Sequence, residues 1–361
     1  MHASRRLTVA VSVVTALCLA FPAAASACTR ILWNDNSVAV LVSRSADWLT
    51  PTEPRLVAQP RGLERDGGMF DGVQKIADNP AHWTSRYGSV AVSSFDSATF
   101  DGMNERGLSA HGLWLYASDY GPRDPSRQGI RTTLWTQYLL DNAANVNEAI
   151  ALQATIQPLL VPIRTPEGQE VPIPVSVTVE DASGDSAIFQ YIGGELVVCH
   201  GRDYRVLAND PPLPESLEAL SKYNFVNATR DLPLPGNMSS LDRFIRANYF
   251  LDYLRETPPK SRTGAVASLL ATARNVSPPI GAPSGLVDHR TATDWRTVSD
   301  LTNRTYYFES TRELSVLQTD LRKLDLRKGA PVRVLDPLNP ALHGNVTKDY
   351  RPVAVAPFYG A

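Results

Sequence analysis

The sequence predicts an α+β protein with four layers, in which two β-sheets stack face to face between two layers of helices. Candidate elements follow one another in the order strands, helices, strands, helices, strands, which is compatible with this arrangement. The 361 residues contain no internal repeat and no linker, and 43% of them are hydrophobic, enough for one large core. We therefore expect residues 28–361 to form a single domain.

The first 27 residues have the pattern of a secretory signal peptide. Arg5 and Arg6 form a short basic region, residues 7–21 are apolar, and residues 25–27 (Ala-Ser-Ala) form a small-x-small cleavage signal. The apolar run is short for a bilayer span, and no later stretch reaches 18 apolar residues. We expect cleavage between Ala27 and Cys28, export to the periplasm or the extracellular space, and a mature protein without a membrane span.

The elements of the mature chain are predicted as follows. Residues 29–33 and 37–44 are β-rich runs on either side of Asn-Asp-Asn and predict a hairpin. Further β-rich or alternating runs predict strands over 87–95, 99–103, 108–115, 175–180, 187–191, 195–200, 204–207, 295–300, 305–309 and 314–317. Helical periodicity predicts helices over 131–144, 146–155, 241–254 and 264–275. The proline-rich segment 158–174 is predicted to be a loop, and 211–237 to be irregular.

Composition excludes several classes of partner. The formal net charge is −2 without a basic block, which argues against nucleic-acid binding. The sequence has no HExxH, CxxC or histidine pair at helical spacing, so no metal site is expected. It also has no GxGxxG motif and no P-loop. We expect a protein without a cofactor.

The cysteines point to chemistry at the mature N-terminus. Cys18 would leave with the signal peptide, so that only Cys28 and Cys199 remain. A disulfide between them is one interpretation. Alternatively, cleavage makes Cys28 the first residue, and its α-amine, which titrates at about 7.7–8.0, could take up the thiol proton and later return it to a leaving amine. A lipid-modified cysteine (with Ala25 where such signals usually have leucine) and mere coincidence remain further alternatives.

Motifs downstream of the cleavage site, taken together and in order, show a family resemblance. The chain reads CTRILWNDNSVAVLVSRSADWLT from Cys28, and then contains DGMNERGL, LAND and LPGNMSSLDRF. This set resembles the choloylglycine hydrolase family, especially its exported penicillin V acylases of Gram-negative type. The resemblance implies a four-layer αββα sandwich of the N-terminal-nucleophile hydrolase type.

The resemblance also implies an activity. The enzyme would be a cysteine amidohydrolase that cleaves a linear, non-peptide amide bond of a small N-acyl substrate, such as penicillin V or an acyl-homoserine lactone. Family members are often tetramers, so a homotetramer is an expectation. One alternative is a conjugated bile salt hydrolase. An alternative of a different class is a non-catalytic envelope binding protein that is lipid-anchored through Cys28.

By the same resemblance, catalytic roles fall on Cys28, Arg44, Asp47, Asn104, Asn209 and Arg243. Cys28 would attack the carbonyl, Arg44 would favour the thiolate, and Asp47 would orient the α-amine. The Asn209 amide and the Asn104 backbone N–H would stabilise the oxyanion, with Arg243 supporting charge. From the residues alone, the two asparagines could equally be turn residues.

Two tryptophans and one aspartate are also expected near this site. Trp48 and Trp114 would lie at the catalytic entrance, where they suit an aryl or alkyl acyl group, although either could be a core residue. Asp210 stands where the family more usually has serine, and it adds a negative charge close to Asn209.

Overall fold

The structure is a computed structural model, and it describes residues 28–164, 168–223, 225, 234–283 and 290–354. The signal peptide predicted for residues 1–27 lies outside these ranges and stays a prediction. No helix in the described ranges is long and apolar enough to cross a membrane.

Twenty-five strands and five α-helices make up the described chain. The strands are β1 (Thr29–Trp33), β2 (Leu41–Trp48), β3 (Arg55–Gln59), β4 (Glu64–Asp66), β5 (Met69–Phe70), β6 (Val73–Gln74), β7 (His82–Thr84), β8 (Ser89–Ser94), β9 (Ala98–Asn104), β10 (Ser109–Trp114), β11 (Gln128–Arg131), β12 (Ile156–Leu159), β13 (Ile163–Arg164), β14 (Glu170–Val171), β15 (Val175–Glu180), β16 (Ser186–Ile192), β17 (Glu195–His200), β18 (Val206–Ala208), β19 (Ala282–Pro283), β20 (Arg290–Asp300), β21 (Thr305–Ser310), β22 (Val316–Asp320), β23 (Arg333–Leu335), β24 (Gly344–Asn345) and β25 (Arg351–Pro352). The helices are α1 (Thr132–Asn142), α2 (Val146–Gln153), α3 (Leu213–Leu220), α4 (Ser240–Glu256) and α5 (Arg262–Asn275), with a 3-10 turn at Leu321–Lys323.

Two large sheets form the middle of the molecule. The first has the order β18-β1-β2-β20-β21-β22-β24, with β19 added beside β20, and the second has the order β17-β16-β15-β10-β9-β8-β3-β23-β25. Helices α4 and α5 pack on the first sheet, and α1 and α2 pack on the second. The predicted four-layer αββα sandwich is therefore confirmed.

Apolar side chains on alternate strand residues form three buried layers. In β1, Ile31 and Trp33 face α4 and α5, whereas Leu32 faces the second sheet. Between the sheets, aromatic residues such as Trp295 and Phe308 pack at 5.8 Å between ring centroids. Because successive strand residues point to opposite faces, a polar residue within β1 or β2 lies either between the sheets or under the helices.

The element predictions were right for most strands of the two sheets, wrong in two loops, and missed β3, the short strands β4–β7, and β11 and β23–β25. Strands β15 and β17 have the predicted bounds. The segment 158–174 contains the end of β12 and the short pair β13–β14, apart from residues 165–167, which lie outside the described ranges. The segment 211–237 contains α3, which begins directly after two prolines because proline is tolerated in the first turn of a helix.

Candidate active site

Cys28 lies at the start of β1, between two strands that carry other predicted site residues. Thr29 is opposite Ser45 of β2 and opposite Ala208 of β18. Continuing this antiparallel register by one residue places Cys28 beside Ala46 and Asn209. Cys28 is 6% exposed and lines a pocket. Both Cys28 and Cys199 are free, so the structure contradicts the predicted alternative of a disulfide between them.

Arg44 lies against the sulfur. Its Nη2 is 3.4 Å from Sγ of Cys28 and donates to the Gly112 carbonyl at 3.1 Å, and its guanidinium stacks 4.4 Å above the Trp295 ring. Nε and Nη1 of Arg44 are buried and form no hydrogen bond within the described part of the chain. The remaining donors of this buried guanidinium can donate hydrogen bonds to an anionic oxygen.

Asp47 and Arg243 form a fully buried ion pair next to the cysteine. Nη1 of Arg243 lies 2.9 Å from Oδ2 of Asp47 and donates to the Thr29 hydroxyl at 2.5 Å, while the Thr293 hydroxyl donates to Oδ1 of Asp47 at 2.6 Å. Burial raises the pKa of the Asp47 carboxyl, and Arg243 and Thr293 oppose that rise. Because a guanidinium keeps its proton at physiological pH, the partners of Asp47 favour its carboxylate form.

The structure distinguishes between the two arginines of α4. Arg246 donates to the backbone carbonyls of Pro235 at 2.8 Å and Asn237 at 2.6 Å, so it holds the chain that leads into the helix. Arg243, one turn earlier, points to Asp47, and its Nη2 is buried without a hydrogen bond in the described ranges. Arg243 is therefore the arginine that the structure brings to Cys28, as the sequence predicted.

Asn209 sits beside Cys28, and Asp210 points away from the thiol. Asn209 is 1% exposed and directly follows β18. The Asp210 carboxylate accepts the backbone N–H groups of Tyr116 at 3.1 Å and Ala117 at 3.3 Å. Burial raises the pKa of Asp210, against the effect of these two hydrogen bonds. Asp210 thus fastens the chain after β10 next to Asn209.

The prediction for Asn104 is wrong. Its backbone N–H donates to the Leu108 carbonyl within the β9–β10 turn. Its side-chain amide donates to the carbonyls of Leu140 at 2.9 Å and Ala143 at 2.8 Å, and thereby caps the end of α1. The backbone N–H of Asn104 is already hydrogen-bonded within the turn, and Asn104 does not line the pocket at Cys28. The turn-residue interpretation of Asn-Glu-Arg-Gly holds for this position.

An aromatic pocket rises above the cysteine. Trp48 and Trp114 lie 5.5 Å apart between ring centroids, and Trp48 packs edge-on against Phe95 at 6.2 Å. The space between the lining side chains and the open mouth amounts to about 440 Å³, and aromatic and aliphatic residues make up most of the lining. The structure thus brings both predicted tryptophans together with Cys28, Arg44 and Asp47 in one lining.

Sequence reasoning missed several members of the site. Thr293 lies opposite Asp47 in the β2–β20 register, but its segment TATDW carries no motif that marks it. Phe95 and Phe100 line the pocket from the β8–β9 hairpin, and only their proximity to the DGMNERGL motif could have suggested them. Within the described residues, no group of three or more histidine, cysteine, aspartate or glutamate side chains is placed to hold a metal ion.

Comparisons with known proteins identify relatives along almost the whole chain. Residues 28–338 match the profile of the linear amide C–N hydrolases, choloylglycine hydrolase family. The penicillin V acylase of Pectobacterium atrosepticum is 33% identical over 92% of this chain and 92% of its own length. The bile salt hydrolase/transferase of Bifidobacterium longum is 25% identical over 62% of this chain and 73% of its own length.

Solved structures agree with the sequence matches. The penicillin V acylase from Agrobacterium tumefaciens superposes with a TM-score of 0.78 at 33% identity, over 92% of this chain and 100% of that chain. A variant of the conjugated bile acid hydrolase from Clostridium perfringens gives a TM-score of 0.71 at 18% identity, over 85% and 96%, a likeness that concerns the fold. The predicted family is confirmed: the chain belongs to the choloylglycine hydrolase family of linear amide C–N hydrolases.

Proposed function

We propose that the mature protein is a cysteine N-terminal-nucleophile amidohydrolase that removes an aryl or alkyl acyl group from an amide such as penicillin V or an acyl-homoserine lactone. One observation carries the proposal: a cysteine directly after a signal-peptide cleavage sequence immediately precedes β1, lines an aromatic pocket and has an arginine nitrogen 3.4 Å from its sulfur. The family profile also begins at this cysteine.

The first half of the reaction transfers the acyl group. The Cys28 thiol passes its proton to the α-amine, and the sulfur adds to the amide carbonyl carbon. The developing oxyanion is stabilised by the Asn209 amide and by the free guanidinium donors of Arg44 and Arg243. The C–N bond then breaks as the α-ammonium gives its proton to the departing amine, which leaves a thioester on Cys28.

The second half regenerates the enzyme. The α-amine takes a proton from water, and the hydroxide adds to the thioester carbonyl. The C–S bond breaks, the carboxylic acid departs, and the sulfur recovers its proton. Asp47 orients the α-amine through both steps, since its carboxylate lies next to Cys28 and is held rigidly by Arg243 and Thr293. In the uncleaved chain this amine is part of a peptide bond, so activity depends on cleavage after Ala27.

The proposed export and N-terminal processing can be tested by mass. Intact mass spectrometry of the secreted or periplasmic protein should give the chain that begins at Cys28, without modification. A lipid on Cys28 would contradict both the free α-amine and the catalytic proposal. The burial of Cys28, with its sulfur against Arg44, favours the unmodified residue over a lipid anchor.

The nucleophile can be tested with the two cysteines of the mature chain. Cys28→Ser should lose nearly all hydrolysis while circular dichroism stays native. Cys199→Ser is the matched control, because Cys199 lies half-buried on β17 and outside the pocket lining, and it should keep full activity. Full activity of Cys28→Ser would point to another nucleophile.

The substrate can be tested with three amides. The close Trp48–Trp114 pair suits a flat ring or an extended chain better than a steroid, so penicillin V or an acyl-homoserine lactone should be hydrolysed faster than glycocholate. Hydrolysis of glycocholate alone would establish the bile salt alternative instead.

A further inference from the structure

Behind the proposed nucleophile lies a set of buried charges that the reaction does not use directly. We call Arg30, Asp101, His111 and Glu180 the inter-sheet charge cluster. Their side chains have no exposed surface. Nδ1 of His111 is 2.7 Å from Oδ2 of Asp101, and its Nε2 is 3.1 Å from Oε2 of Glu180. Arg30 lies on the far side of Glu180, with its Nε 2.9 Å from Oε1 of that carboxylate.

The contacts of His111 favour its protonated form. Each ring nitrogen faces a carboxylate oxygen: Nδ1 is hydrogen-bonded to Asp101, and Nε2 is paired with Glu180 by charge, without hydrogen-bond geometry. A neutral ring would place a nitrogen lone pair against one of the two carboxylates. In agreement, the carboxylates of Asp101 and Glu180 raise the pKa of His111 to about 9, against the effect of burial, which by itself is the largest contribution and lowers it.

Charged and polar groups surround this histidine and its two carboxylates. Asp101 of β9 and Glu180 of β15 face the ring itself. One of these two carboxylates is contacted by each of Ser109 of β10, Arg30 of β1, Thr297 of β20 and Tyr306 of β21, and Arg44 of β2 lies close enough to act by charge on Tyr306. The Thr297 hydroxyl donates to Asp101 at 3.2 Å, and the Tyr306 hydroxyl also donates to that carboxylate. Within the described ranges, His111 contacts both carboxylates directly, without an intervening side chain.

Two structural links join the cluster to Arg44. Gly112 follows His111 in β10, and its carbonyl accepts the same Nη2 of Arg44 that touches the Cys28 sulfur. On the other sheet, Thr297, which donates to Asp101, lies opposite Arg44 in the β2–β20 register. The guanidinium beside the nucleophile is therefore held by a carbonyl next to His111, and the backbone of Arg44 pairs with a residue that contacts Asp101.

The charges of the cluster and of the residues around Cys28 do not balance. Within this set the cations are Arg30, Arg44, protonated His111 and Arg243, and the carboxylates are Asp47, Asp101 and Glu180. Four positive charges face three negative ones, which leaves one positive charge in excess. Charges in a dry interior interact over longer distances than in water, so this excess acts on the sulfur.

We propose that His111 is a positioning residue for the hydrolase reaction: as a buried imidazolium it fixes the Gly112 carbonyl, holds Arg44 against Cys28, and supplies the positive charge that the Cys28 thiolate neutralises. The inference rests on the proposed role of Cys28 as nucleophile. It predicts that removing one charge from the cluster changes the pH at which the thiolate forms, in a direction set by the sign of the charge.

The test measures thiolate formation directly. The rate of alkylation of Cys28 by iodoacetamide is followed against pH in the mature protein, in a Cys199→Ser background so that one thiol reacts. His111→Gln should move the midpoint upwards by about one pH unit and slow alkylation at neutral pH about tenfold. Asp101→Asn should move it downwards. The double variant restores the excess of one positive charge and should return the midpoint towards that of the parent.

Tyr306→Phe is the matched control. It removes a neutral donor to Asp101 from the same buried site, so it should lower stability but leave the midpoint unchanged. An unchanged midpoint in both single charge variants, or shifts in the same direction, would overturn the proposal. If His111→Gln does not fold, Asp101→Asn alone decides by the direction of its shift. Because alkylation reports the thiol and not turnover, a failure of the proposed function shows separately, as hydrolysis that survives Cys28→Ser.

Discussion

The buried pair Asp47–Arg243 gives the sharpest prediction for stability. Both side chains have no exposed surface, and the oxygen and nitrogen are 2.9 Å apart. Arg243→Met removes the cation but keeps most of the apolar volume, and it leaves the Asp47 carboxylate buried without this guanidinium, beside the hydroxyl donors of Ser45 and Thr293. Breaking a buried pair in this way typically costs about 3–5 kcal/mol, and since those hydroxyls remain we expect about 3 kcal/mol.

The double variant separates the charge from the packing. Asp47→Asn together with Arg243→Met removes both charges, so no uncompensated ion stays in the interior. Its free energy of unfolding should lie within about 1 kcal/mol of the parent, and therefore about 2 kcal/mol or more above that of Arg243→Met. Urea denaturation of the four proteins, followed by tryptophan fluorescence, measures each free energy.

In this series, kcat should not recover when the free energy of unfolding recovers. The double variant folds but lacks the carboxylate that orients the α-amine and the guanidinium that supports the oxyanion, so its kcat should stay as low as that of either single variant. A cost below about 1 kcal/mol for Arg243→Met would refute the assignment of a desolvated ion pair. Recovery of hydrolysis in the double variant would show that the pair serves the fold alone.

Three further predictions follow from the site. Asn209→Ala should lower kcat by about 10²–10³ with little effect on KM, whereas Asn104→Ala should destabilise the fold but keep the kcat of the folded fraction; equal losses of kcat would restore Asn104 to the oxyanion site. Trp48→Ala and Trp114→Ala should each raise KM about tenfold for a phenoxyacetyl amide and hardly change it for an acetyl amide; an equal increase for both substrates would show that the tryptophans do not bind the acyl group. The pKa of His111 is about 9 in the folded protein against 6.5 in the unfolded chain, so its stabilisation is complete below pH 6.5 and is lost as the pH rises through 9. Urea denaturation between pH 6 and pH 10 should show a fall of about 3 kcal/mol that is absent from His111→Gln, and an identical fall in that variant would assign the pH dependence to another group.

The part of the site that could be predicted is the part that is local along the chain. Arg44 and Asp47 follow Cys28 by 16 and 19 residues, and a hairpin necessarily brings such residues back to its starting strand. Arg243 and Asn209 required the family resemblance, because helix α4 and strand β18 reach Cys28 only through tertiary packing. Thr293 was out of reach, since the register of β20 against β2 depends on the whole first sheet.

The errors have identifiable physical causes. Asn104 was assigned to the oxyanion site, although Asn-Glu-Arg-Gly is equally a turn sequence, and in the structure the turn and the end of α1 use all of its hydrogen-bonding groups. Strand β20 is longer than predicted because its first residues, Arg290–Asp294, are mostly polar and lack the alternation that marks a strand. Helix α3 was missed because prolines next to a helix start resemble a loop.

The place of β1 in the first sheet also governs when the site can come into existence during synthesis. One neighbour of β1 is the adjacent strand β2, but the other, β18, begins only at Val206, and the Asp47 partners Arg243 and Thr293 follow later still. Pairings so distant in sequence form slowly, since a long loop must close before they contribute. The first strand to leave the ribosome is thus among the last to be enclosed, and a nascent chain that ends before β20 has no assembled Cys28 site.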